Sequence, residues 1–225
     1  MNQLPRSYLK WGYISTLLAI VIVLLLFLFS RGRNNHVDKE ALPELTIESK
    51  VYREYKRPTP NYDHERKNQV IGVVLHHTAE PTVERSLEIL TSRAKKVGTH
   101  VVIDTNGTRY ILAEPDVATY HAGLSILNDR EGCNYLTIGI EFQGNTLVAP
   151  LTEDQIASGI QYLLPIISEY KIPLKNIVTH EMVRTAYKEK YPNKKCSGKV
   201  DITQVEYKRF MDALNNKIET NIQHN

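Results

Sequence analysis

Two kinds of apolar pattern run along this chain. Residues 11–30, WGYISTLLAIVIVLLLFLFS, carry no charged side chain. About twenty such residues match the length of a bilayer-crossing helix. No small-residue cleavage site follows, so the stretch predicts an uncleaved transmembrane signal anchor. From residue 70 onward the apolar residues come in short runs and spaced sets, as in a folded domain. VIGVVL (70–75) is β-branched and unbroken, which predicts a buried strand, and it ends abruptly in His76, His77 and Thr78. Val83, Leu87, Leu90, Ala94 and Val97 recur at helical spacing and predict a helix over 82–97, stopped by Gly98. THVVID and TRYILA flank Thr105-Asn106-Gly107, an Asn-Gly hairpin signal. TIGIEF (137–142) is another strand. Thr152 and Gln155 match a capping box, opening a helix through 161–164 that Pro165 should kink. NIVTH (176–180) is a short strand, and 203–217 a last helix.

That order predicts an α/β fold: a mixed central β-sheet flanked by helices, in a single domain behind an N-terminal transmembrane helix. The divisions are a short N-terminal tail (1–10), the anchor (11–30), a linker and irregular arm (31–66), the domain (67–217) and a polar tail (218–225). The arm is polar and holds three prolines. Roughly 195 residues beyond the anchor suit one domain with a full core.

Charge changes this picture little. The chain has 28 Lys+Arg against 25 Asp+Glu, and its net charge of +3 gives no ground for a nucleic-acid partner. Arg6 and Lys10 precede the anchor while Arg31 and Arg33 follow it, so charge bias leaves its orientation open.

Candidate chemistry changes it more. Two strands end in histidine, His76 and His180, and the carboxyl ends of strands are where open α/β sheets gather ligands. Successive strand residues face opposite ways, so His76 and His77 cannot both serve one site. A catalytic zinc takes three protein ligands. The tail 194–201 offers two candidates for the third, Cys196 and Asp201, each with a lysine two positions earlier. Glu141 lies in an otherwise apolar strand, where a carboxylate is costly unless paired or facing a cleft. Each residue also has a plainer reading. His180 can cap a strand, His77 and His100 can pack, and Lys194, Lys195 and Lys199 can form a solvated basic tip.

Taken together, VVLHHTA, GTHVVIDTNGT, YHAG, TIGIEF, IVTH and Lys199-Val200-Asp201 resemble, in order and spacing, the zinc-dependent N-acetylmuramoyl-L-alanine amidases. That family shares its fold with peptidoglycan recognition proteins and small phage lysozyme-type amidases. The resemblance spans about 68–214. It implies His76 and His180 as zinc (Zn2+) ligands, with Asp201 as the third. Lys194-Lys195-Cys196-Ser197-Gly198 also resembles another branch's Lys-x-Cys, so Cys196 stands as the alternative. A Cys133–Cys196 disulfide would remove that alternative. The resemblance further implies that Glu141 activates the attacking water, that Lys199 stabilises the oxyanion, and that His121, Thr78 and His100 serve substrate binding. Thr99 stands where the recognition branch has a catalytic tyrosine. The implied partner is peptidoglycan or its muropeptides, cut between N-acetylmuramic acid and L-alanine. The alternative is a non-catalytic peptidoglycan-binding module on the same fold. Either role puts the domain outside the cytoplasm: a single-pass protein of the cell membrane, amino end inside, the domain facing the periplasm or cell exterior.

Overall fold

The apolar runs pair into one sheet in the computed structural model, which describes residues 50–64, 66, 69–196 and 201–223. The expected tail at 1–10, the expected span at 11–30, and Lys199 lie outside the described residues. Among the described residues no helix is long and apolar enough to cross a membrane.

In chain order the strands are β1 (Glu54–Lys56), β2 (Tyr62–Asp63), β3 (Gly72–His77), β4 (Val101–Ile103), β5 (Arg109–Ile111), β6 (Ala118–Thr119), β7 (Ile126–Leu127), β8 (Arg130–Glu131), β9 (Thr137–Phe142) and β10 (Ile177–Thr179). The helices are α1 (Val83–Leu90), α2 (Cys133–Leu136), α3 (Glu153–Tyr170), α4 (His180–Lys190) and α5 (Gln204–Gln223). The main sheet has the order β1-β5-β4-β9-β3-β10. Strands β4, β9, β3 and β10 run parallel, while β5 returns antiparallel beside β4. The fold is therefore mixed α/β, a central sheet flanked by helices.

Alternation along the strands sends each sequence to two faces. Val73, Leu75, Val101, Ile103, Ile138, Ile140, Phe142 and Ile177 pack in one core with Ile156, Ile160 and Leu163 of α3 and Phe210 and Leu214 of α5. On the opposite face Val74 and Val178 meet Val183 of α4, and Val102 meets Val83 and Leu90 of α1. Phe142 and Phe210 meet edge to face, with ring centroids 5.6 Å apart. A Cβ at Gly159 would stand 3.0 Å from Phe210 and 3.1 Å from Phe142, so the glycine makes room for both rings.

Three expectations change. The helix expected over 82–97 ends at Leu90. The reason is not local. Thr59 Oγ1 donates to the Leu90 carbonyl at 2.6 Å, and the Asn61 amide donates to the carbonyls of Leu90, Ser92 and Val97 at 3.3, 3.0 and 2.7 Å. Carbonyls that another turn of helix would have used are thus taken by a distant segment. That segment belongs to the stretch expected as linker and irregular arm. Its described part is instead woven into the fold: β1 pairs with β5, β2 with β6, and Tyr52, Thr59 and Asn61 are buried. α3 continues through Pro165 to Tyr170, with the proline on the exposed side, where solvent can reach the carbonyl deprived of its donor. The last helix continues past Lys217 to Gln223.

Phe210 is fully buried between Phe142 and Gly159. Phe210→Ala should cost about 3–5 kcal/mol of stability, the usual range for emptying a buried phenyl site. Chemical denaturation of the variant beside the wild type measures it.

Candidate active site

Three parallel strands in register form the site. His76 of β3 pairs with Glu141 of β9, and Thr179 of β10 pairs with Leu75, so the next residue, His180, falls level with His76. Side chains at one level of a parallel sheet share a face, which brings His76, Glu141 and His180 to the same carboxyl-end row. His180 is also the first residue of α4. Thr179 caps that helix, its hydroxyl accepting from the Met182 N–H at 3.2 Å. The sequence reading missed α4. Its signals were the cap at Thr179, Glu181 in the first turn, Lys188 and Lys190 in the last, and His180, Val183, Arg184 and Tyr187 at helical spacing.

Asp201 completes the cluster from the segment leading into α5. Its Oδ1 accepts from the backbone N–H groups of His77 at 2.9 Å and Ile202 at 3.1 Å. Its Oδ2 faces His76 Nδ1 at 3.2 Å and His180 Nδ1 at 2.9 Å. Candidate donor atoms of His76, His180 and Asp201 all lie within 4.8 Å of one another, and the three could hold a metal ion. Cys196 is not part of this group. Cys133 and Cys196 are both free thiols, so no disulfide joins them.

Hydrogen bonds behind the site set its tautomers. The Thr137 hydroxyl donates to the Cys133 carbonyl at 2.6 Å, so its oxygen accepts from His121 Nε2 at 3.3 Å. His121 Nδ1 is then the acceptor, and His76 Nε2 must donate to it across 3.2 Å. In the neutral ring, His76 Nδ1 is left with its lone pair aimed at a carboxylate oxygen. Two acceptors so placed repel each other unless a cation lies between them. Burial, and then His76 beside it, hold the His121 imidazole well below the usual histidine range, in agreement with a neutral ring.

His121 reaches this place because residue 139 has no side chain. A Cβ at Gly139 would fall 2.7 Å from His121 Cγ. The His121 loop is pinned by Asn134, whose Oδ1 accepts from the N–H groups of His121 at 3.1 Å and Ala122 at 2.7 Å. Asp63 of the arm accepts from the hydroxyls of Tyr120, at 2.7 Å, and Tyr135. His76, Glu141, His180, His121, Thr78 and Arg184 all border one cleft of about 670 Å³. Glu141 is buried at its wall. The Thr78 hydroxyl donates to Gln143 Oε1 at 3.1 Å and accepts from the Gly144 N–H at 3.2 Å, so it ties β3 to the chain after β9 while bordering the cleft. His77 turns to the other face and meets Thr146. Thr99, like His100, is fully buried.

His100 stands one layer behind, supporting His121 rather than bordering the cleft. Their ring centroids are 5.9 Å apart. Its Nδ1 accepts from the Gly139 N–H at 2.9 Å, so Nε2 carries the proton and donates to the Val117 carbonyl at 3.2 Å. Arg66 donates to the same carbonyl and lies beside the ring. Burial, and then the Arg66 cation, pull His100 down to about 3 from an ordinary 6.5. The unfolded chain therefore binds this proton first as pH falls. The stabilisation is whole above pH 6.5 and is lost between 6.5 and about 3, at no more than about 1.4 kcal/mol per pH unit. Between pH 7 and pH 5, His100→Asn should lose about 2 kcal/mol less stability than the wild type, as read by denaturant unfolding at both values.

Comparison with known proteins agrees with this fold. Among solved structures, AmpD, as its selenomethionine derivative, is 19% identical over 72% of this chain and 96% of its own, with a TM-score of 0.55. The Staphylococcus aureus hydrolase AmiA, solved with its ligand, is 16% identical over 75% of this chain and 84% of its own, with a TM-score of 0.54. At these identities the likeness is one of fold. No curated protein sequence matches the chain. The family model described as N-acetylmuramoyl-L-alanine amidase matches residues 66–199, more than half of the sequence, and the chain belongs to that family.

Proposed function

We propose that the protein is a zinc-dependent amidase, held at the cell membrane by residues 11–30 with its domain outside the cytoplasm. It hydrolyses the amide bond between N-acetylmuramic acid and L-alanine in peptidoglycan or its fragments. The observation that carries the zinc reading is the pair of imidazole nitrogens facing Asp201 Oδ2 at 3.2 and 2.9 Å, one of them with its lone pair bared by the Thr137–His121 chain. Two nitrogens and one carboxylate oxygen suit zinc as a three-ligand protein set, so His76, His180 and Asp201 would hold it. When bound, the metal supplies Lewis-acid polarisation of the scissile carbonyl and lowers the pKa of water to about 7.

The chain's own residues do the rest. Glu141, one strand over from His76 in the same row, takes a proton from the attacking water and delivers it to the leaving amine of L-alanine. Lys199, two residues before Asp201 in sequence, stabilises the tetrahedral oxyanion. His121 holds His76 in one tautomer and borders the cleft that receives the stem peptide. AmiD of E. coli and AmpDh3 of Pseudomonas aeruginosa are described in complex with anhydromuramyl peptides. A muropeptide fits the same reading here. For the membrane part, the support is the uncharged run at 11–30 and the extracytoplasmic place of the polymer.

Full-length protein in detergent, incubated with a defined muramyl peptide, should release free stem peptide by mass spectrometry. EDTA should stop release and zinc restore it. Glu141→Gln should keep its metal and lose about 10²–10⁴-fold in turnover. A fully active Glu141→Gln removes that residue from the role, and retention of the peptide without cleavage favours the binding module. In membrane fractions the chain should resist an alkaline wash, and deletion of 11–30 should release it.

A further inference from the structure

The neighbour of the first ligand has its own task. We propose that His77 is a positioning residue for the metal centre, holding in place, from the opposite face of the sheet, the segment that presents Asp201. This rests on the metal-site reading above.

His77 is buried and reaches that segment by two routes, one direct and one through Thr146. Its backbone N–H donates to Asp201 Oδ1 at 2.9 Å. Its ring acts through Thr146. The Thr146 N–H lies 3.1 Å from His77 Nδ1, and a backbone N–H can only donate, so Nδ1 accepts. The Thr146 hydroxyl lies 2.9 Å from the same nitrogen, and its oxygen accepts from the Thr203 N–H at 2.9 Å. The run His77–Thr146–Thr203 therefore closes a loop that begins and ends beside Asp201. The loop after β9 and helix α5 are tied again further on, where the Leu151 N–H donates to Glu206 Oε2 at 2.9 Å and Arg209 donates to the Leu151 carbonyl at 2.7 Å.

The two contacts divide the work. The N–H groups of His77 and Ile202 on Oδ1 set the roll of the carboxylate, so that Oδ2 is the oxygen turned to the histidines. They do not fix how far the segment stands from the sheet. The imidazole–threonine–amide link does, because it ties Thr203 to the strand that carries His76. A backbone bond survives any side-chain substitution, so the ring's share can be separated by mutation. Outer partners of this kind usually change metal affinity by about 10–100-fold.

The test is zinc affinity, by chelator competition on the full-length chain in detergent. His77→Phe keeps ring and bulk but removes the acceptor; it should raise the zinc Kd by about 10–100-fold. Thr146→Val should do the same, and Thr146→Ser, which keeps the hydroxyl, should stay near wild type. In an Asp201→Asn background the effect of His77→Phe should nearly vanish, since the ring acts only through that carboxylate. An unchanged Kd in His77→Phe, or an equal loss with and without Asp201, overturns the inference and leaves a packing role. Should His77→Phe fail to fold, the Thr146→Val and Thr146→Ser pair decides alone. A wild type that binds no zinc defeats the metal-site reading itself; a wild type that binds it, with additive variants, defeats only this inference.

Discussion

Everything at the site depends on the parallel pairing of β3 with β9 on one side and β10 on the other. One level of that register carries His76, Glu141 and His180, and a slip of one residue in any strand would turn its member of the row to the opposite face. The pairing is secured by what lies beneath it. The alternate residues Val73, Leu75, Ile138, Ile140, Phe142 and Ile177 are all fully buried on the other face, so a slip would also drive polar side chains into the larger core. Core packing and catalytic geometry are two sides of one alternation.

The polar layer costs stability as the apolar one provides it. A carboxylate and several imidazoles are buried within a few side chains of one another, with the half-buried Arg66 guanidinium beside them. The fold makes this tolerable by ordering donors and acceptors from fixed ends: the Cys133 carbonyl starts one chain, the Gly139 N–H another. Only where the order converges, between Asp201 Oδ2 and the Nδ1 of a neutral His76, does it leave two acceptors facing each other. His76, His180 and Asp201, whose candidate donor atoms meet at that point, could hold a metal ion there.

Much of this was legible in the sequence because its signals are local. The β-branched run, the Asn-Gly turn and the Thr152–Gln155 box act within a few residues: the β4–β5 turn and the cap of α3 formed where the pattern put them, and β3 formed two residues further on, running through the histidines. Alternation alone separated His76 from His77. The end of α1 was not legible, because Thr59 and Asn61 decide it from another part of the chain. For the same reason the described arm read as irregular: short, polar strands such as β1 and β2 have no pattern until a partner strand is present. Asp201 and Cys196 were equal by spacing, and what separates them is burial and the two N–H groups on Oδ1.

The woven-in arm has a consequence for where this molecule begins and ends. The stretch that carries the family's sequence signature, 66–199, is shorter than the stretch that carries its physics. A fragment cut at those limits would keep His76, Glu141 and His180 but lose Asp201, and with it the third donor. It would lose Phe210 and Leu214, opening one side of the main core to water. It would also lose Thr59, Asn61 and Asp63, freeing the carbonyls beyond α1 and the tyrosines beside the cleft. The smallest independently competent unit is therefore larger than its recognisable motif at both ends, with the added pieces supplying closure rather than chemistry at one end and both at the other.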